Sequence, residues 1–259
     1  MLLTPSFPTK LHQDAAEVVR DYFKNVPETD TILLVNSCAR GQGVPESDLD
    51  FAILVSPGTT TEQIYNIDNA WQTFSKSHHT LSKYKRSHPF AHLHLDVIDA
   101  NYKAAVLEPG EPADSFEIEI GNQIVYSAPM SQEGPYFQEL QCKWLPYYNE
   151  VLRSVRLAAI RNACKYDLDH IHILIKRGLY FHAFDTLWKA FREYLQALFI
   201  AHRTYPVAYN KWIKEQIVNW LGKPDLYQKL LPILSIADIE SDEMIRNAKA
   251  LFELLNNLE

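Results

Sequence analysis

Apolar residues along the first half of the chain follow two rhythms in turn. Between Thr9 and Lys24, the positions Leu11, Ala15, Val18, Val19, Tyr22 and Phe23 recur mostly at spacings of three and four, which predicts an amphipathic helix. Thr31–Val35 and Asp50–Val55 are compact apolar runs and predict buried strands, the second ended by Pro57-Gly58. Ile64, Ile67, Trp71 and Phe74 then mark one stripe of a helix over Thr61–Ser75. His92–Ile98 alternates, as a strand with two unlike faces should. Phe116–Ile120 and Gln123–Ser127 flank Gly121-Asn122, the pattern of a two-residue hairpin.

Beyond about residue 130 the period becomes helical throughout. Gln138–Lys176 predicts a long helix that Pro146 bends or divides near its start, stopped by Lys176-Arg177-Gly178. Leu179–His202 predicts a second, rich in aromatics, with Trp188, Phe191, Tyr194, Leu195, Leu198 and Phe199 as a core stripe. Three shorter helices follow, over Ala208–Leu221, Asp225–Leu234 and Asp242–Leu255. The expected architecture is α+β: a domain over 1–130 with a mixed sheet flanked by helices, then an all-α bundle over 131–259.

Composition narrows the setting. The longest apolar runs are far too short to cross a bilayer, and Met1-Leu-Leu-Thr-Pro-Ser6 lacks the basic start and apolar stretch of a secretory leader. Cys38, Cys142 and Cys164 lie far apart with no CxxC pair, so neither a disulfide framework nor a zinc site is expected, and a reducing cytoplasm is the natural compartment. With 25 basic against 32 acidic residues, the net charge of −7 disfavours a nucleic-acid polymer as partner, although it leaves a single nucleotide open.

The chemistry concentrates between Val35 and Ile53. A strand runs into Asn36-Ser37, where a short helix is expected to begin; free backbone N–H groups and the Ser37 hydroxyl there suit an anion, with Arg40 one turn on as a second phosphate contact. Ser47-Asp48-Leu49-Asp50 opens the next strand. Residues two apart share a strand face, so Asp48 and Asp50 project together while Leu49 enters the core. Paired carboxylates of this kind suit Mg²⁺, a hard ion held by one or two carboxylates plus substrate phosphates. On the alternating strand Asp96 shares a face with His92 and His94, while Asp99 falls on the other; if that strand adjoins the Asp50 strand, three carboxylates converge.

A strand, a Gly-Ser-like pair (Asn36-Ser37), about ten residues, Asp-x-Asp on a strand and a later strand aspartate resemble the polymerase-β-like nucleotidyltransferase superfamily. The nearer likeness is to its small two-domain members, the antibiotic nucleotidyltransferases and their relatives, which pair a minimal catalytic domain with a C-terminal helical bundle. The resemblance implies that Ser37 and Ser47 serve the nucleotide, that Asp48 and Asp50 ligate Mg²⁺ and that Asp96 is the third carboxylate. It also implies ATP or another NTP as co-substrate, and transfer of AMP to a hydroxyl of a small acceptor such as an antibiotic. The family carries glycine where this chain has Asn36, a residue that accepts left-handed backbone better than most. Two other readings stand beside this one: a degenerate nucleotide-binding or protein-interaction module, and an enzyme that nucleotidylates a partner protein. A homodimer is left open.

Other residues receive plainer readings. His92 and His94 are strand histidines before they are ligands, because Mg²⁺ prefers oxygen; Asp169 and His172 share a helix face in the manner of a solvated surface. Cys38 reads as a small buried residue, not a nucleophile. Tyr209 and Lys211, at the start of a helix after a proline loop, are placed to reach a nucleotide across a domain cleft, or equally to be packing and surface residues. Asp96, Glu139, Glu150 and Asp169 are the candidate general bases.

Overall fold

The first helix, α1 (Lys10–Phe23), starts at Thr9 because that residue is extended and its hydroxyl accepts the His12 backbone N–H. Its buried side is His12, Ala15, Ala16, Val19 and Phe23, so of the predicted stripe Ala15, Val19 and Phe23 are buried and Leu11, Val18 and Tyr22 half-buried. The chain continues through β1 (Thr29–Val35), the single turn α2 (Asn36–Ala39), β2 (Leu49–Val55), α3 (Thr61–Ser77), α4 (His79–Lys85) and β3 (Leu93–Ile98). Thr60 and Gln63 form a reciprocal capping box at the start of α3. The computed structural model describes residues 3–258; Met1 and Leu2, the beginning of the segment read for a leader, lie outside the described residues.

A four-stranded mixed sheet runs in the order β3-β2-β1-β4, where β4 is Ala128–Pro129. β2 is antiparallel to β1 and parallel to β3, with Asp50 opposite His94 and Ala52 opposite Asp96. Leu49, Phe51, Ile53 and Val55 join α1, α3 and α4 in one apolar cluster, and Leu93, Leu95 and Val97 pack against it. Alternation therefore turns Asp50, His94 and Asp96 to the other face.

The expected hairpin over Phe116–Ser127 is instead α5 (Phe116–Ile120) followed by a π-helical turn (Gly121–Val125). Phe116-Glu-Ile-Glu-Ile120 alternates like a strand, but the buried apolar residues are Phe116, Ile120 and Ile124, four apart. Glu117 is also fully buried, and its partners are Tyr148, Arg156 and Gln196 in the helical half, not residues of a neighbouring strand. α6 (Pro135–Trp144) and α7 (Glu150–Lys176) are divided around Pro146, with Asn149 capping α7. α8 (Tyr180–Ala201) follows the aromatic stripe. The next helix is shorter than the expected Ala208–Leu221: only a π-helical turn, Glu215–Trp220, is fully formed. The buried Gln216 amide accepts the Val207 N–H and donates to the carbonyls of Ala208 and Lys211, taking the place of a helical ladder there. α9 (Pro224–Leu230), a 3₁₀ turn (Leu231–Leu234) and α10 (Glu243–Asn256) complete the fold.

The chain is α+β and divides into two units, residues 1–102 with 119–145 and residues 103–118 with 146–259, so it crosses between them three times where the pattern suggested one boundary. Among the described residues no helix is long and apolar enough to cross a membrane.

In the first unit, Asp30 caps α6 from 106 and 107 residues away: its carboxylate accepts the N–H groups of Tyr136 and Phe137 at 3.0 and 3.1 Å. Gly134 passes so close that a Cβ there would overlap the Asp30 carboxylate. Gly134→Ala should therefore cost about 1–3 kcal/mol, as overpacked sites do. Urea unfolding of that variant tests the cap, and an unchanged midpoint would contradict it.

The helical unit buries an acid pair. Asp167 on α7 is bridged by Lys189 at 2.8 Å, and the wholly buried Glu193 on α8 has no protein donor among the described residues. Burial, with the neighbouring Asp167 adding to it, pushes Glu193 up to about 9. An unfolded glutamate ionises near 4.3. Between that value and about 9 the folded chain holds the extra proton, and stability falls as pH rises. Glu193→Gln should flatten this slope and gain on the wild type from pH 5 to 9, by at most about 1.4 kcal/mol per pH unit. Parallel stability curves for the two proteins would refute the raised Glu193 carboxyl.

Candidate functional site

At the end of β1 the chain turns through Asn36, whose φ of +59° lies in the left-handed region where glycine is favoured. Asparagine is among the few side chains that accept this backbone, so the turn survives without glycine. Ser37 is half-buried in α2 and Arg40 follows at its end, also half-buried. Burial pushes Tyr126 up to about 12, and the nearby Arg40 charge partly offsets this.

The loop back to β2 rides directly over α2. A Cβ on Gly43 would come within 2.9 Å of Cys38 Sγ, so only glycine fits without a shift. Ser47 closes this loop with its hydroxyl, which accepts the Val44 N–H at 2.9 Å. Its carbonyl is held from the core side by His12 Nε2 at 3.1 Å and by the Tyr84 hydroxyl at 3.0 Å.

Asp48 is the next residue. Its Oδ1 accepts the His92 N–H at 2.9 Å, its Oδ2 lies 3.7 Å from His94 Nε2, and its carbonyl is 3.6 Å from Cys38 Sγ. The side chain remains 37% exposed, so a ligand can reach it. Asp50 follows two residues later, half-buried on the face that also carries His94 and Asp96. Asp96 is exposed and two residue pairs along the ladder; a strand spacing of about 4.8 Å and a two-residue rise of about 6.6 Å put its backbone roughly 8 Å from that of Asp50. Among the described residues no three His, Cys, Asp or Glu side chains are drawn tightly enough together to form a ready-made ligand cage.

The donor set fits a hard divalent ion. Asp50 offers carboxylate oxygens from β2 and Asp48 from the residue just before that strand, and such an ion takes its remaining ligands from water and phosphate. Cys38 does not compete: burial pushes its thiol up to about 11, with the charges of Asp50 and Asp48 adding to the effect. Asp99 accepts the Asn101 N–H and so closes a turn.

Of the candidates from the second half, Tyr209, Lys211, Glu150 and Asp169 lie in the helical unit, whereas Glu139, on α6, belongs to the first unit and not to the bundle expected from the sequence pattern. Tyr209 is a core residue beside Phe199, and its hydroxyl has no hydrogen-bond partner among the described residues. Lys211 is exposed, in an irregular stretch ahead of the π-helical turn and not at a helix start. Of the candidate bases, Glu139 and Asp169 are exposed. Arg203 and Arg153 hold Glu150 down to about 2, which makes it a poor proton acceptor. The residues that sequence spacing did not reveal are His12 and Tyr84. They lie 35 and 37 positions from Ser47, and the short α4 that carries Tyr84 has too few apolar positions to announce itself. No family model matches the chain, and no curated protein matches it.

Proposed function

We propose that this chain is a Mg²⁺-dependent nucleotidyltransferase that moves a nucleoside monophosphate, AMP from ATP, onto a hydroxyl of a small acceptor. The observation that carries the reading is the register of β2 and β3, with Asp50 opposite His94 and Asp96 on the same face, directly after the anchored Asp48. The turn through Asn36 in left-handed backbone supports it, as does the resemblance of the Asn36-Ser37…Asp48-x-Asp50…Asp96 pattern to polymerase-β-like enzymes. Asp48 and Asp50 would hold the ion, which when bound neutralises the triphosphate and stabilises the leaving pyrophosphate.

The chain's own residues do the rest. Ser37 and Arg40 offer a hydroxyl and a guanidinium to phosphate oxygens. Asp96 accepts the acceptor hydroxyl proton as the new bond to the α-phosphorus forms and the bond to the bridging oxygen breaks. Its exposure leaves room for an acceptor beside it. The net charge of −7 does not suit template-directed polymerisation.

The test is the melting temperature with each NTP, with and without Mg²⁺, followed by pyrophosphate release against a panel of hydroxylated acceptors and candidate proteins. A Mg²⁺-dependent shift with ATP and acceptor-dependent pyrophosphate supports the reading. Binding without pyrophosphate from any acceptor favours a binding module, and no shift with any nucleotide refutes the metal–nucleotide site.

A further inference from the structure

Beneath the candidate carboxylates lies a bracket of two buried side chains from distant parts of the chain. His12, on α1, is 2% exposed, and Tyr84, on α4, is fully buried. Both converge on one atom, the Ser47 carbonyl oxygen, at 3.1 and 3.0 Å. A carbonyl only accepts, so His12 must carry its proton on Nε2, and its Nδ1 accepts from the Thr9 hydroxyl at 2.7 Å. The rings of His12 and Tyr84 meet edge-on with centroids 5.1 Å apart.

Tyr84 also points its hydroxyl toward a second carbonyl, that of His92, at 3.4 Å. Ser47 and His92 stand just before the starts of β2 and β3, and the Leu49 N–H bonds the same His92 carbonyl at 2.9 Å. One phenol thus ties the entrances of two parallel strands together. Between those tied points sits Asp48, whose Oδ1 is oriented by the His92 N–H. A core that needed only apolar filling would be served by phenylalanine at position 84 and by leucine at position 12. The polar atoms instead meet at the residue before the first carboxylate.

We infer that His12 and Tyr84 are positioning residues that fix where the Asp48 carboxylate points, and thereby the affinity of the Asp48–Asp50 pair for a divalent cation. The inference rests on the nucleotidyltransferase reading above. Positioning of this kind matters because carboxylate ligands lose affinity when the groups that orient them are removed, by about 10–100-fold in metal sites.

The experiment measures Mn²⁺ binding to the full chain by the loss of its free EPR signal beyond that of the same Mn²⁺ and α,β-methylene analogue of ATP without protein. Tyr84→Phe keeps the ring and removes only the hydroxyl; His12→Gln alters the second arm; Trp71→Phe disturbs the same core without touching Ser47. Expected is binding to the wild type, about tenfold weaker binding to Tyr84→Phe and His12→Gln, and binding within twofold of wild type in Trp71→Phe at a comparable loss of melting temperature. Wild-type affinity in both bracket variants would overturn the positioning role and leave the functional reading standing. Equal weakening in all three variants would overturn it too, as general loosening of the core. A wild type that binds no Mn²⁺ with the analogue would overturn the functional reading and this inference with it.

Discussion

In the Asp48→Asn variant, ATP should no longer raise the melting temperature in the presence of Mg²⁺. Wild type at about one hundred times the dissociation constant should gain roughly 2.7 kcal/mol, a shift of several degrees. The substitution keeps the shape of the side chain, and Asn retains an oxygen to accept the His92 N–H that Asp48 accepts at 2.9 Å. The unliganded variant should therefore melt close to wild type. What is lost is the negative charge beside Asp50, on which a hard cation depends. Nucleotidyl transfer should fall at least 10²–10³-fold, the scale of removing one preorganised electrostatic contact to a developing charge. Differential scanning fluorimetry with and without Mg²⁺, and coupled pyrophosphate release, measure the two effects. A variant that keeps its Mg²⁺-dependent shift would remove Asp48 from the site.

Arg156→Met should be the most destabilising single change in the helical unit. The Arg156 side chain is 2% exposed and its guanidinium makes two bonds to Glu117, at 2.6 and 2.8 Å, and two to Asp114, at 2.6 and 3.1 Å. Gln196 and Tyr148 supply neutral donors to the same carboxylates. Without the guanidinium, two carboxylates remain with no cation among these partners, one of them wholly buried. Breaking a buried pair from one side costs about 3–5 kcal/mol. Lysine should not rescue it, because one ammonium cannot reproduce two bidentate contacts. Adding Glu117→Gln and Asp114→Asn to Arg156→Met should recover much of the loss, because the stranded charges are then gone. Urea unfolding distinguishes these cases, and a loss below about 1 kcal/mol in Arg156→Met would show that the carboxylates find other compensation. The cluster also joins residues 103–118 to α7 and α8, so amide exchange in that segment should quicken in the single variant.

The same cluster explains a misread element. Phe116–Ile120 satisfies a strand pattern and a helix pattern at once, because apolar residues two apart are also four apart. Glu117 decides between them, since its charge finds Arg156, Gln196 and Tyr148 only where the chain folds back on the helical unit. Nothing within ten residues of Glu117 announces those partners. The overlong helix over Ala208–Leu221 has a similar origin, in the buried Gln216 that takes up backbone groups a helix would have used itself.

Local pattern was enough for α1, β1, β2, α3, β3, α7 and α8, because each carries its own periodicity and, in several cases, its own cap. It was also enough to put Asp50 and, on the neighbouring strand, Asp96 on polar faces, since alternation along a strand is a property of the backbone alone, whereas Asp48 falls just before β2, where its carboxylate takes the His92 N–H. Tertiary structure decided what depends on pairing across distance: that β3 lies parallel beside β2 with Asp50 opposite His94, that Asp30 caps α6, and that His12 and Tyr84 meet at Ser47. Such contacts join residues tens to a hundred positions apart. Hydrophobic periodicity says which side of an element is buried, but not which polar atom waits on the other side of the core.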